Sequence, residues 1–225
     1  MVGWQGAEDV LTAGDQTRVA CPGCGAPVTF ASAQSTHAVC AYCQSAIVRS
    51  GETLARLGKV GASQVADVIA KTKSGPSASR MNLMALKLAE RLTGTLAESY
   101  TNAAMEWGTA NEAEARTAYE FYANVTVEQV GFIDHPIVKM TGASPDGLVG
   151  DSGLVEIKAP NTATHIDTLI NGKVPGKYIT QMMWQMACTG RQWCDFVSYD
   201  PRMPEALRLW QRRVLRDSGM IGELE

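Results

Sequence analysis

Residues 144–158 constrain the fold more than any other stretch. They read Ser-Pro-Asp-Gly-Leu-Val-Gly-Asp-Ser-Gly-Leu-Val-Glu-Ile-Lys. Gly150-Asp151-Ser152-Gly153 is a hairpin turn between two apolar runs. Folding about Asp151 sets Asp146 roughly opposite Glu156. Side chains alternate along a strand, so Glu156 and Lys158 share a face and Ile157 points into the core. The hairpin thus gathers two carboxylates and one ammonium on one surface. Two close carboxylates repel unless a cation sits between them. Hard oxygen donors, without thiolate or imidazole, favour magnesium or manganese. An amine beside them can contact an attacking water or a phosphate, the minimum for metal-assisted phosphodiester hydrolysis. The spacing alone also arises on charged strands with a solvated face.

Two further polar residues suit such a site. Glu112 lies on a helix expected over Thr101–Tyr122, where it could ligate a second cation or simply face solvent. Gln181 lies on a helix expected over Gly176–Thr189, among Ile, Met and Trp, where it needs a polar partner if buried. Other expected helices run from Ser63 to Ala70 and from Ser79 or Arg80 to Leu92, the latter stopped by Gly94. Expected strands are Val125–Ile133, Lys139–Thr141, Gly147–Gly150, Gly153–Lys158, Trp193–Tyr199 and Leu207–Val214. This order of helices, strand meander, helix and strands gives an α/β or α+β core, not a doubly wound nucleotide fold.

The N-terminal quarter follows different rules. Four of the six cysteines fall there, as Cys21-Pro-Gly-Cys24 and Cys40-Ala-Tyr-Cys43, with fifteen residues between the pairs. Each pair aims two thiolates at one point, and two pairs close a tetrahedron around zinc with no open position. A segment this small lacks a core of its own, so the metal would supply its folding energy. His37, between the pairs, is a weaker ligand candidate than a solvent-facing side chain. The reading divides the chain into a loose tail over 1–20, a zinc-ribbon-like module over 21–50 and one larger domain over 54–225.

Charge narrows the partners. Twenty Lys and Arg stand against 23 Asp and Glu, a net charge of −3, so a blanket basic surface is excluded. A nucleic-acid binder of this balance needs a local basic track or metal ions facing phosphate. Arg202, Arg208, Arg212, Arg213 and Arg216 form one arginine-rich run, though such runs are most often solvated faces. No run of eighteen apolar residues marks a membrane span.

From about Leu54 onward the chain resembles the lambda-exonuclease-like, YqaJ-type viral recombinase family, within the PD-(D/E)xK nuclease fold. The motifs are Arg56-Leu57-Gly58 with Gly61-Ala62-Ser63, then Trp107-Gly108 followed by Glu112. Ser144-Pro145-Asp146-Gly147, Glu156-Ile157-Lys158, Gln181 and Tyr199-Asp200-Pro201-Arg202-Met203 come after them, in family order. The resemblance implies a restriction-endonuclease-like core, with a central mixed sheet flanked by helices. It implies a 5′-to-3′ exonuclease on linear double-stranded DNA, leaving 3′ single strands for a partner annealing protein. It also implies a ring-shaped homotrimer and the cytoplasm of a bacterial host, with a phage or prophage origin.

By motif matching, Asp146, Glu156 and the Ile157 carbonyl would hold the catalytic magnesium, and Lys158 would position or activate water. Glu112 would serve a second metal position, and Gln181 would orient the nucleophile or Lys158. Arg56, Ser63 and Ser144 match positions cradling the DNA 5′-phosphate. The family's arginine after the lysine motif falls at Thr164, so His165 is a candidate replacement for that contact, a cap or surface histidine being the alternative. Relatives continue into a further helix beyond Glu225, which would leave trimer packing weaker here. Rival readings are an inactive binding module of the same fold and a repair or restriction endonuclease.

Remaining residues read as structural. Met105 is expected in the core, the alternative being an apolar wedge between DNA strands at the site entry, and the tryptophans 107, 184, 193 and 210 are expected in the core or an interface. Cys188 and Cys194 are expected as buried thiols, and His135, before Pro136, as a turn residue.

Overall fold

The computed structural model describes residues 18–20, 24, 26–29, 37–44, 46–48, 55–73, 75–96 and 103–225. The chain divides into two compact units, Met1–Val60 with Ala70–Glu98, and Gly61–Ile69 with Ser99–Glu225.

The first unit holds two short antiparallel hairpins. Strand β1 (Arg18–Ala20) pairs with β2 (Pro27–Thr29), and β3 (His37–Val39) with β4 (Ala46–Val48). Arg18–Ala20, inside the stretch expected to be a loose tail, are therefore paired. The same unit contains the small hairpin β5 (Lys71–Thr72) and β6 (Gly75–Pro76), and helix α2 (Ala78–Thr93). The Ser77 hydroxyl caps α2 by accepting the Arg80 N–H at 3.1 Å, and Gly94 ends it at φ 67°. Buried Glu90 on α2 accepts the Gly58 N–H at 3.0 Å and the Lys87 ammonium at 3.0 Å, so its charge is paired.

The second unit is built on a five-stranded mixed sheet. After the short helix α1 (Val65–Ile69) and the long helix α3 (Ala103–Ala123) come β7 (Val127–Glu128), β8 (Ile133–Asp134) and β9 (Thr141–Ala143). The hairpin strands β10 (Gly147–Val149) and β11 (Gly153–Lys158) follow, then helices α4 (Thr162–Asn171) and α5 (Gly176–Thr189). Strands β12 (Trp193–Tyr199) and β13 (Leu209–Leu215) and helix α6 (Ser218–Leu224) complete it. The sheet order is β13-β12-β11-β10-β7. Only β11 and β12 run parallel, joined through α4 and α5.

Alternation along β11 splits the core in two. Val155 and Ile157 pack with Val197 under Ala115 and Tyr119 of α3. Leu154 packs with Phe196 under Met182, Met183 and Met186 of α5, with Ile221 of α6 beside them. Burial on both faces explains why β11 reads as an almost continuous apolar run. Gly153 opens that strand because the Trp193 ring lies where a Cβ would stand, 2.1 Å away.

Residues 125–133 do not make the single strand expected. Val127 and Glu128 pair with β10, whereas Ile133 and Asp134 pair with β9, so the chain leaves one sheet for another. Helix α4 was not expected at all. Asn161 caps it by accepting the Thr164 N–H at 2.9 Å, and Gly172 ends it at φ 59°.

Candidate active site

The hairpin register pairs Gly147 with Val155, which sets Asp146 opposite Glu156. Asp146 Oδ2 accepts the backbone N–H of Ile157 at 2.6 Å, tying the end of β11 to the start of β10. A cavity of about 570 Å³ opens there, lined among others by Glu112, Asp146, Ile157, Lys158, Lys177 and Tyr178. The hairpin supplies Asp146, Ile157 and Lys158, α3 supplies Glu112, and α5 supplies Lys177 and Tyr178.

Glu156 itself is wholly buried and is not among the residues that line the cavity. The Lys158 ammonium contacts its Oε1, which also accepts the Gln181 side-chain amide at 2.6 Å. Gln185 donates to Oε2 at 2.6 Å. A buried carboxylate is tolerable only with such a full set of donors. Burial, then the Glu156 charge, pushes the Asp146 carboxyl up to about 7. Burial alone would lower the Lys158 ammonium, but Glu156 and Asp146 beside it raise it above its usual range. The Lys158 and Lys177 ammoniums lie 5.5 and 4.7 Å from the centre of the Tyr178 ring.

Glu112 accepts the Arg116 guanidinium at 2.6 Å and lines the same cavity, and its charge adds to the upward push on Asp146. Asp146, Glu156, Lys158, Glu112, Gln181 and the Ile157 backbone are thus brought to one place. Ser144 is half-buried two residues ahead of Asp146, and Ser63 is exposed ahead of α1; neither lines the cavity. Arg56 is exposed in the first unit.

His165 cannot make the phosphate contact proposed for it. It is fully buried, with Nδ1 2.8 Å from the Ser198 hydroxyl and Nε2 2.8 Å from the Leu207 carbonyl. Both ring nitrogens are consumed, in pinning α4 to Ser198 of β12 and to Leu207 in the turn before β13. Met105 also departs from expectation, being half-exposed and lining the cavity rather than filling the core.

The arginine-rich run is not an open basic track. Arg202 pairs with Asp200 and Arg213 with Asp195, while Arg208 and Arg216 donate to the carbonyls of Met203 and Met186. Cys188 and Cys194 are buried thiols, Cys188 pushed up to about 12 by burial. His135 does order a turn, its Nδ1 accepting the N–H groups of Ile137 and Val138.

Sequence reasoning missed Gln185. Its signal was its place one helical turn after Gln181, which puts both amides on one face.

In the first unit, the thiol sulfurs of Cys24, Cys40 and Cys43 lie within 4.8 Å of one another. Cys24 and Cys40 are 3.6 Å apart, and the Cys43 N–H holds the Cys40 thiol below its ordinary value. This is a possible three-cysteine metal site; Cys21 lies outside the described residues.

A mixed sheet whose central hairpin presents Asp146, Glu156 and Lys158, with helices on both faces, defines the PD-(D/E)xK nuclease class. Within that class, the chain belongs to the YqaJ-like viral recombinase family, whose domain matches residues 53–192. It is similar to an alkaline exonuclease from Laribacter hongkongensis, at 54% identity and TM-score 0.71, covering 77% of this chain and 85% of that one. The same enzyme in complex with dAMP matches at 53% identity and TM-score 0.71, covering 78% and 87%. A phage-related exonuclease from Haemophilus somnus 129PT shares the fold at 14% identity and TM-score 0.57, covering 74% and 88%. No curated protein sequence matches.

Proposed function

We propose that the chain is a magnesium- or manganese-dependent exonuclease that degrades linear double-stranded DNA in the 5′-to-3′ direction. The observation that carries this reading is that Asp146 and Lys158 line one cavity, while buried Glu156 stands opposite Asp146 and is bonded to Lys158. The similarity to alkaline exonucleases supports it. The product would be a 3′ single strand, available to an annealing protein in phage-type recombination in a bacterial cytoplasm. The family resemblance suggests a homotrimer around the DNA. Among the described residues, no helix is long and apolar enough to cross a membrane.

The donor set fits the cation. Asp146, Glu156, the Ile157 carbonyl and Glu112 offer hard oxygens only, and the mutual repulsion of Asp146 and Glu156 is relieved by a divalent charge. When bound, the ion would polarise the scissile phosphate and make its water more acidic. The chain's own residues set the geometry. Asp146 is fixed by the Ile157 N–H, and Glu156 by two amides. Without a cation, the two acidic neighbours raise the Lys158 ammonium above its usual range. Its role in this reading is to position or activate water, or to contact a phosphate oxygen. Arg56, Ser63 and Ser144 remain candidates for the DNA 5′-phosphate, on motif matching. For the cysteine head we read zinc, with Cys21 as the fourth ligand beside Cys24, Cys40 and Cys43.

The test uses linear duplex with a labelled 5′-phosphorylated end and closed circular DNA, each with and without magnesium. Magnesium-dependent release of mononucleotides from the linear duplex alone is the expected outcome. Cutting of the circle would indicate an endonuclease of the same fold, and no cleavage of either would indicate an inactive binding module.

A further inference from the structure

Three groups reach Glu156, and they share its two oxygens unequally. Oε1 takes the Gln181 amide and the Lys158 ammonium, on the side where Lys158 lines the cavity. Oε2 takes the Gln185 amide at 2.6 Å, and Gln185 is wholly buried. Around it on α5, Met182, Met183, Met186 and Ala187 are buried and apolar. The Gln185 side-chain oxygen has no hydrogen-bond partner among the described residues. A half-satisfied buried amide is a poor choice for packing, when methionine of similar length already serves the neighbouring positions. What the amide does achieve is to hold Glu156 by Oε2, the oxygen that the cavity-lining Lys158 does not contact.

We propose that Gln185 is a positioning residue that makes Glu156 a one-oxygen ligand, and so selects magnesium over calcium. This rests on the reading of the cavity as a divalent-cation site. With Oε2 tied by buried Gln185, Oε1, which the cavity-lining Lys158 contacts, is the oxygen left for the cation. One-oxygen coordination suits the regular octahedral shell of magnesium. A two-oxygen grip has a short bite, which suits the larger and less regular shell of calcium. Freeing Oε2 opens that grip. Gln181 holds Oε1 instead, so its loss does not free Oε2.

The test is isothermal titration of MgCl2 and CaCl2, separately and without DNA, into the full chain and its Gln185→Met and Gln181→Met forms. Gln185→Met is expected to move the calcium-to-magnesium affinity ratio about tenfold towards calcium. Gln181→Met is expected to leave that ratio within about twofold, although both affinities fall. If Gln185→Met does not fold, Gln185→Asn gives the same test, because its shorter arm does not reach Oε2. An unchanged ratio in a folded Gln185 variant would overturn this assignment and leave the cation site standing. A wild-type chain that binds neither ion would overturn the cation site itself, and the role of Gln185 with it.

Discussion

Asp146 holds the backbone N–H of Ile157, eleven residues further on, through Oδ2 at 2.6 Å. One carboxylate oxygen is thereby spent on fixing the hairpin, and the side chain is set at the cavity beside Lys158. Asparagine can keep the N–H acceptor while removing the charge. Asp146→Asn should therefore fold normally and lose at least about a hundredfold in DNA cleavage. Lys158→Ala should lose a comparable factor and, because it removes one donor from buried Glu156, should also lower the melting temperature. Paired circular dichroism and cleavage assays check both; normal cleavage by either variant would contradict the assigned roles.

The Asp146 carboxyl also predicts a pH dependence. Its pKa is pushed up to about 7, against about 3.9 in an unfolded chain. The folded, cation-free protein therefore binds more protons than the unfolded chain between those values. The contribution of Asp146 to stability is fully present below about pH 4 and is lost as pH rises through 7. Protons compete with the cation over the same window. Magnesium affinity should fall as pH drops below 7, and added magnesium should recover stability above it. Melting curves with and without magnesium from pH 5 to pH 8.5 check this; a magnesium effect independent of pH would contradict it.

Asp200 behaves in the opposite sense. Burial alone would raise its carboxyl, but bonds from Arg202 and Thr162 hold it down at about 2. Its stabilising contribution is present above about pH 3.9 and is lost as pH falls through 2. Asp200→Asn should lower stability at neutral pH and flatten the acid limb between pH 4 and pH 2. Acid titration followed by circular dichroism measures the slope, and an unchanged slope would remove Asp200 from the account.

Gly153 tests the packing that supports the hairpin. A Cβ there would stand 2.1 Å from the Trp193 ring, and that ring is also covered by the Arg213 guanidinium at 3.5 Å. Gly153→Ala should destabilise the protein by about 1–3 kcal/mol, read by urea denaturation. Neutral behaviour would mean the ring moves aside freely.

Much of this was legible in the sequence because the hairpin is local. Turn residues and strand alternation sufficed to set Asp146 against Glu156, and the Gly176–Thr189 helix and the Trp193–Tyr199 strand match their expected bounds. The roles that depended on tertiary contact were not legible. His165 looked available beside a motif, yet Ser198 and Leu207, 33 and 42 positions away, claim both its nitrogens. The arginines after Tyr199 read as a solvated face or a local basic track, and their partners Asp195 and Asp200, on the neighbouring strand and at its end, were not legible. Gln185 could be placed on the face of Gln181, but its role could not be read, because its partner Glu156 lies 29 positions back on a strand.

The most direct measurement is a crystal structure of the chain grown with manganese, with the ion located by its anomalous scattering. The account predicts a peak at the cavity, bound by oxygens of both Asp146 and Glu156, with Lys158 alongside. Manganese bound away from that pair, or contacting neither carboxylate, would contradict the account.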